Sequence, residues 1–123
     1  MCEATNLVEK FDAFHDWYLM GFGADRDNGI VELALLFDNK RDRVNLLFKG
    51  VTRCLVSDFL IQNIISELKI LTDFDSPNYR HALSELERSY FGKENWPNKL
   101  IASVSATIGA ELFIEFDTLE VVS

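Results

Sequence analysis

The stretch "IVELALLFDNKRDRVNLLF", residues 30–48, places large apolar side chains at every second position on both sides of a charged turn. A strand points successive side chains to opposite faces, so this pattern commits the chain to a sheet with one buried face. Val31, Leu33, Leu35 and Phe37 share one side of the first run, and Val44, Leu46 and Phe48 share one side of the second. Upstream, "WYLMGFGA" reads as a strand of aromatic and small residues that ends at "DRDNG". There Asn28-Gly29 marks a hairpin, because both residue types tolerate positive φ. A meander of three strands follows.

Three further segments complete the sheet. "QNIISELKILT", residues 62–72, fits a fourth strand with Ile64, Leu68 and Ile70 on one side, although its apolar residues also fit a helical period. "KLIASVSATIGAELFIEFDTLEVV" alternates on both sides of Ile108-Gly109 and reads as a hairpin of two more strands. Two stretches have helical spacing instead. "TNLVEKFDAF" places Leu7, Phe11 and Phe14 at i, i+4 and i+7, a short helix capped by Thr5 or Asn6. "SPNYRHALSELERSYFG" has Ser76 as cap, Pro77 at the first helical position, a stripe of Tyr79, Leu83, Leu86 and Tyr90, and Gly92 at the C′ position. The expected fold is α+β: a mostly antiparallel, twisted sheet of about six strands, with the main helix (about 77–91) packed on it and a short N-terminal helix. No linker or repeat divides the 123 residues, so residues 1–123 read as a single domain. With 48% apolar residues and ten Phe, the core needs no disulfide or metal to form.

The residues that could carry chemistry are few. His15-Asp16 matches the dipeptide of a class of metal phosphohydrolases, but that metal shell needs further histidines, and His81 is the only other one. The dipeptide lies at a helix-to-strand junction, where a histidine donates to a carbonyl and an aspartate fixes a turn. His15, Asp16 and Trp17 are therefore assigned a structural role, and no residue is assigned to catalysis or to metal. No nucleophile elbow, P-loop or dinucleotide fingerprint is present, and the glycines of "GFGA" suit a bend or bulge better than a phosphate cradle. Asp73/Asp75 flank Phe74 before the main helix and read as turn and capping chemistry. No cofactor is implied.

Charge says more about partners. Twenty acids against twelve bases give a formal net charge of −8, which suits neither direct nucleic-acid binding nor an anionic membrane, and favours a basic protein partner. The charge is also segregated: Lys40, Arg41, Arg43, Lys49 and Arg53 fall in residues 40–53, while residues 100–123 hold four acids and no base. With Leu112, Ile114 and Phe116 turned inward, Glu111, Phe113, Glu115 and Asp117 would share an outward face with Ile101, Ser103, Ser105 and Thr107. An aromatic among carboxylates is the composition expected where a basic protein docks, so those four residues are the candidate binding site. Cys2 and Cys54 have no partner at metal or redox spacing, and together with the absence of a leader-like N-terminus they imply a reducing, cytoplasmic setting.

Three stretches, "FHDWYLMGF", "LLFKGVTRCLVSDFLIQNIISELKI" and "IGAELFIEFDTLEVV", resemble small bacterial immunity proteins of polymorphic toxin systems, notably contact-dependent growth inhibition. They cover somewhat over a third of the chain. The resemblance implies a cytoplasmic, non-enzymatic antitoxin, a monomer or weak homodimer, that covers the active site of a cognate toxin domain such as a basic nuclease. It transfers no individual binding residues. Two other functions remain open on the residues alone: a small metal-dependent phosphohydrolase built on His15-Asp16, and an oligomeric regulatory or scaffold domain joined through a sheet edge.

Overall fold

The structure is a computed structural model that describes residues 3–89 and 98–122. Its elements in chain order are α1 (Glu3–Glu9), one turn of 3-10 helix (Asp12–Phe14), β1 (Tyr18–Asp25), β2 (Ile30–Leu36), β3 (Arg43–Lys49), β4 (Arg53–Ser57), β5 (Ile64–Leu71), α2 (Pro77–Ser89), β6 (Leu100–Ile108), β7 (Glu111–Phe116) and β8 (Thr118–Val122). The α+β class, the antiparallel sheet and the two helices are as the pattern predicts. The strand count is not: the sheet has eight strands in the order β4-β7-β6-β5-β1-β2-β3-β8.

The extra two strands come from bends. Gly50, at φ +67°, turns the chain between β3 and β4, and Asp117 interrupts β7 and β8 at the matching point. A Cβ on Gly50 would stand 2.2 Å from Asp117 Oδ2, so only glycine fits this corner. The bonds Asp117 N–H to Lys49 O (2.9 Å) and Thr52 N–H to Glu115 O (3.1 Å) carry the ladder across it. The two bent strands therefore run beside each other from Asn45↔Val122 to Ser57↔Glu111 and pass from one half of the sheet into the other. Folded about this corner, β4-β7-β6-β5 and β1-β2-β3-β8 press their inner faces together, as sheets joined by bent strands do. Leu33, Phe48, Leu68, Val104, Ile114 and Phe116 meet in that core.

Alternation decides what lies on the outside. Ala102 and Ile114 enter the main core, while their neighbours Ile101 and Phe113 belong to a second cluster with Leu71 and α2. The α2 residues there are Tyr79, Ala82 and Leu86, with Leu83 at the edge; Tyr79, Leu83 and Leu86 belong to the predicted stripe, and Ala82 is an addition to it. Ser76 Oγ accepts the Tyr79 amide (3.1 Å) as the helix cap, and the Tyr79 hydroxyl donates to Lys99 O (2.6 Å). Tyr90 and Gly92 lie outside the described residues.

Four local expectations are corrected. The first helix begins before Thr5 and Asn6, which lie inside it, and it ends at Glu9. Phe14 reaches the core through a left-handed turn, with Asp12, Ala13 and Phe14 at φ 54–55°, and not along a helix face. Phe37 lies beyond the end of β2, where its ring tilts against Trp17 at 5.0 Å. In β5 a bulge around Ser66 shifts the inward set to Ile65, Leu68 and Ile70, leaving Ile64 half-buried.

Candidate protein-interaction surface

The C-terminal hairpin was expected to offer four outward residues, and the fold treats each differently. Leu112, Ile114 and Phe116 do point inward. The opposite face, however, lies partly beneath α2. Glu115 is only 1% exposed: its carboxylate takes Arg53 Nε–H at 2.9 Å and Nη2–H at 2.7 Å, and the Thr52 hydroxyl donates to it as well. The hydrogen bond to Glu115 raises Arg53 above the usual guanidinium value, against the opposing effect of burial. Phe113 is half-covered and meets the His81 ring edge-on at 6.0 Å. Asp117 is exposed but engaged by Lys99 at 3.3 Å. Glu120, further along, pairs with Lys49. Glu111 alone of the four remains exposed without an ion pair among the described residues.

The segregated charges thus answer each other. Lys49 of β3 pairs with Glu120 of β8 and Arg53 of β4 with Glu115 of β7, so part of each block is neutralised by the other across the ladders. The corrected reading is that Glu115 is an internal charge, and Asp117 a cornerpiece. Both blocks were visible in the sequence; their adjacency was not.

The aromatic junction holds as a joint. His15 Nδ1 lies 2.9 Å from the Ser66 carbonyl, which can only accept, so Nδ1 carries the proton. The carbonyl belongs to the β5 bulge, so the side chain ties the left-handed turn to the one irregular point of that strand. Asp16 (φ 67°) donates its amide to Ile65 O at 2.9 Å, and its carboxylate stands 3.7 Å from His15 Nε2. Trp17 is buried against Phe14 in an edge-to-face contact at 5.2 Å. Among the described residues, no three His, Cys, Asp or Glu side chains converge as a metal site. His81 sits instead over a polar groove of about 220 Å³ that it shares with Glu67, Lys69, Ser103, Ser105 and Phe113.

Sequence reasoning missed the loop of residues 58–63 between β4 and β5. It presents Phe59, Leu60 and Ile61 to solvent, and Ile61 is fully exposed. The loop is braced from within. Asn63, 3% exposed, takes the amides of Leu60 and Ala110 on Oδ1 (2.9 Å each) and donates Nδ2–H to Leu60 O (2.8 Å). Gly109, at φ +93°, leaves room for that amide: a Cβ there would lie 2.2 Å from Asn63 Oδ1. Phe59 meets Phe22 of β1 edge-on at 5.2 Å, and Met20 and Ile108 add exposed apolar surface close by in β1 and β6. At the base of the loop stand Asp58 and, across the ladder from Ser57, Glu111; both are exposed, and neither has an ion pair among the described residues. An apolar projection held by a buried amide and edged by unpaired carboxylates is equipped to enter an apolar recess on a basic surface. The signal for it was "DFLI", four residues that suit neither a strand nor a polar turn.

Comparison with protein-family models, with curated protein sequences and with solved structures gives no match for this chain. No described helix is long and apolar enough to cross a membrane.

Proposed function

We propose that this chain is an acidic protein-binding domain whose partner is a basic protein. More particularly, we read it as a cytoplasmic immunity protein that binds the toxin domain of its own system, a basic nuclease, and neutralises it by covering its active site. The observation that carries this reading is the braced Phe59-Leu60-Ile61 projection with Asp58 and Glu111 at its base. Soluble monomers seldom expose a rigid apolar patch without using it, and rigidity reduces the entropy lost on binding. Two of the segments that resemble immunity proteins, the one containing "VSDFLIQN" and the one beginning "IGAEL", meet at this end of the molecule through the Asn63–Ala110 bond.

The reading requires a large secreted protein encoded directly upstream of this chain's gene, and the test uses that protein's C-terminal domain. That domain should arrest growth when expressed alone and fail to do so with this chain present. Ile61→Asp should abolish both protection and complex formation while leaving the thermal transition unchanged. Unrelieved growth arrest, or the absence of any such neighbouring gene, would overturn the reading.

A further inference from the structure

Strand β1 pairs with β2 from Tyr18↔Leu36 to Asp25↔Ile30, with a bulge at Met20 between Leu19 and Gly21. On its other side it meets β5 at Tyr18↔Ile64 alone, and the last bond there joins the Leu19 amide to Asn63 O at 2.9 Å. From that point β1 and β5 part, and among the described residues, residues 20–25 carry a ladder on one side only. Proteins usually guard such an edge with a charge or a proline. Met20, Gly21, Phe22, Gly23 and Ala24 supply neither, and the bulge at Met20 and the charge of Asp25 guard only the two ends of the edge.

Gly21 follows the bulge at Met20, which accounts for a glycine there, whereas Gly23 has no such internal explanation. Neither takes a left-handed conformation, and a Cβ on either would meet nothing within 4 Å. Glycine weakens a strand interior and serves where another backbone comes close. The two faces beside the edge also differ in chemistry. On one, Phe22 packs on Phe59; Met20 and Ile61 border a separate groove of about 280 Å³ together with Tyr18 and Leu36. On the other, Gly21, Gly23 and Ala34 floor a shallow depression of about 380 Å³ bounded by Glu32 and Asn45. Glu32 is exposed and has no ion pair among the described residues.

We infer that this edge receives an extended segment of the partner protein, added as a further strand alongside residues 20–25, with apolar and basic side chains in alternation. Strand addition takes its affinity from the main chain and its selectivity from alternate side chains. Here one set would face Phe22, Phe59 and Ile61, and the other would cross the glycines toward Glu32. The inference rests on the reading of the chain as a protein-binding module. A second copy of the same chain is the poorer occupant, because Asp25 and Asp27 at the end of the edge, within a net charge of −8, would meet like charge. Lys40, at the rim of the apolar groove, is the one base beside it among the described residues and would favour a carbonyl or carboxylate from the incoming segment.

The probe is a capped ten-residue peptide of alternating Val and Lys, titrated against the full chain at low salt while amide exchange is followed residue by residue. Amides within residues 20–25 should slow by about tenfold or more at saturation. The same peptide N-methylated at every second residue, or the Glu32→Lys variant, should lower affinity by about tenfold. No protection, protection confined to β4 or β8, or equal binding of the N-methylated peptide would overturn the inference. Protection that rises with protein concentration in the absence of peptide would assign the edge to a second copy and overturn it too. No toxin domain enters this experiment, so peptide binding without toxin neutralisation would remove the immunity reading and leave the strand-addition site standing.

Discussion

Arg53 grips Glu115 through both carboxylate oxygens, at 2.9 and 2.7 Å, in a site where the two side chains are 3% and 1% exposed. Their Cα atoms are register partners across the β4–β7 ladder, and α2 lies over this part of the sheet. A charge held so deeply is stabilising only while its partner is present, because removal of one leaves the other desolvated and alone.

Glu115→Ala or Arg53→Ala is therefore expected to cost about 3–5 kcal/mol in urea unfolding. The double variant Arg53→Met, Glu115→Leu should recover most of the loss. Single losses below about 1 kcal/mol would mean that water reaches the pair.

Asn63→Ala should cost about 2–3 kcal/mol, since it leaves the amides of Leu60 and Ala110 without acceptors. Exchange at those two amides should accelerate well before global unfolding. If the amides stay protected, Asn63 is not what holds the loop.

The left-handed turn at residues 12–14 stores backbone strain. Ala13 sits at φ 55°, ψ 23°, where a Cβ costs about 1–2 kcal/mol, partly offset by the greater freedom of glycine in the unfolded chain. Ala13→Gly should raise stability by about 0.5–1 kcal/mol. A destabilised variant would show that the Ala13 methyl contributes more through packing than its backbone costs.

Burial pushes the Cys54 thiol from its ordinary 9.0 up to about 11. In a Cys2→Ser background, labelling of native Cys54 at pH 8 should run about a hundredfold slower than in the unfolded chain. The sign for stability follows from the same shift. A folded value above the unfolded one gives stability that is complete below pH 9 and declines as pH rises toward 11. Cys54→Ala should flatten that decline.

Asp58→Lys and Glu111→Lys should slow association with the toxin domain and weaken its dependence on salt, with little effect on folding. Glu115→Lys would not report on binding at all, because it breaks the buried pair. If association is unchanged by either surface reversal, the acids at the base of the loop do not steer the encounter.

Much of this architecture can be read from local pattern. Ser76 and Pro77 start the main helix, Tyr79, Leu83 and Leu86 face the sheet, and Val31, Leu33, Leu46 and Phe48 alternate inward as spacing requires. What resists reading is set by contacts far apart in the chain. Gly50 looks like an incident inside one strand until Asp117 is known to stand against it. Glu115 looks like surface until Arg53 and α2 close over it. Period two separates the faces of a strand; it does not say which face a helix from elsewhere will cover. The Phe59-Leu60-Ile61 loop fails for the opposite reason, since its apolar residues follow no period and composition alone assigns them to a core.

The corner at Gly50 and Asp117 also governs how the chain must assemble. Each bent strand belongs to both halves of the sheet, so neither half is complete until segments about seventy residues apart, such as Lys49 and Thr118, have met. The entropy of closing so long a loop is spent before most of the core can repay it, and topologies of this kind fold slowly for their size. The same feature removes any natural intermediate with one half formed. Unfolding should be a single concerted event, and a chain cut within the corner should not yield two independently folded pieces.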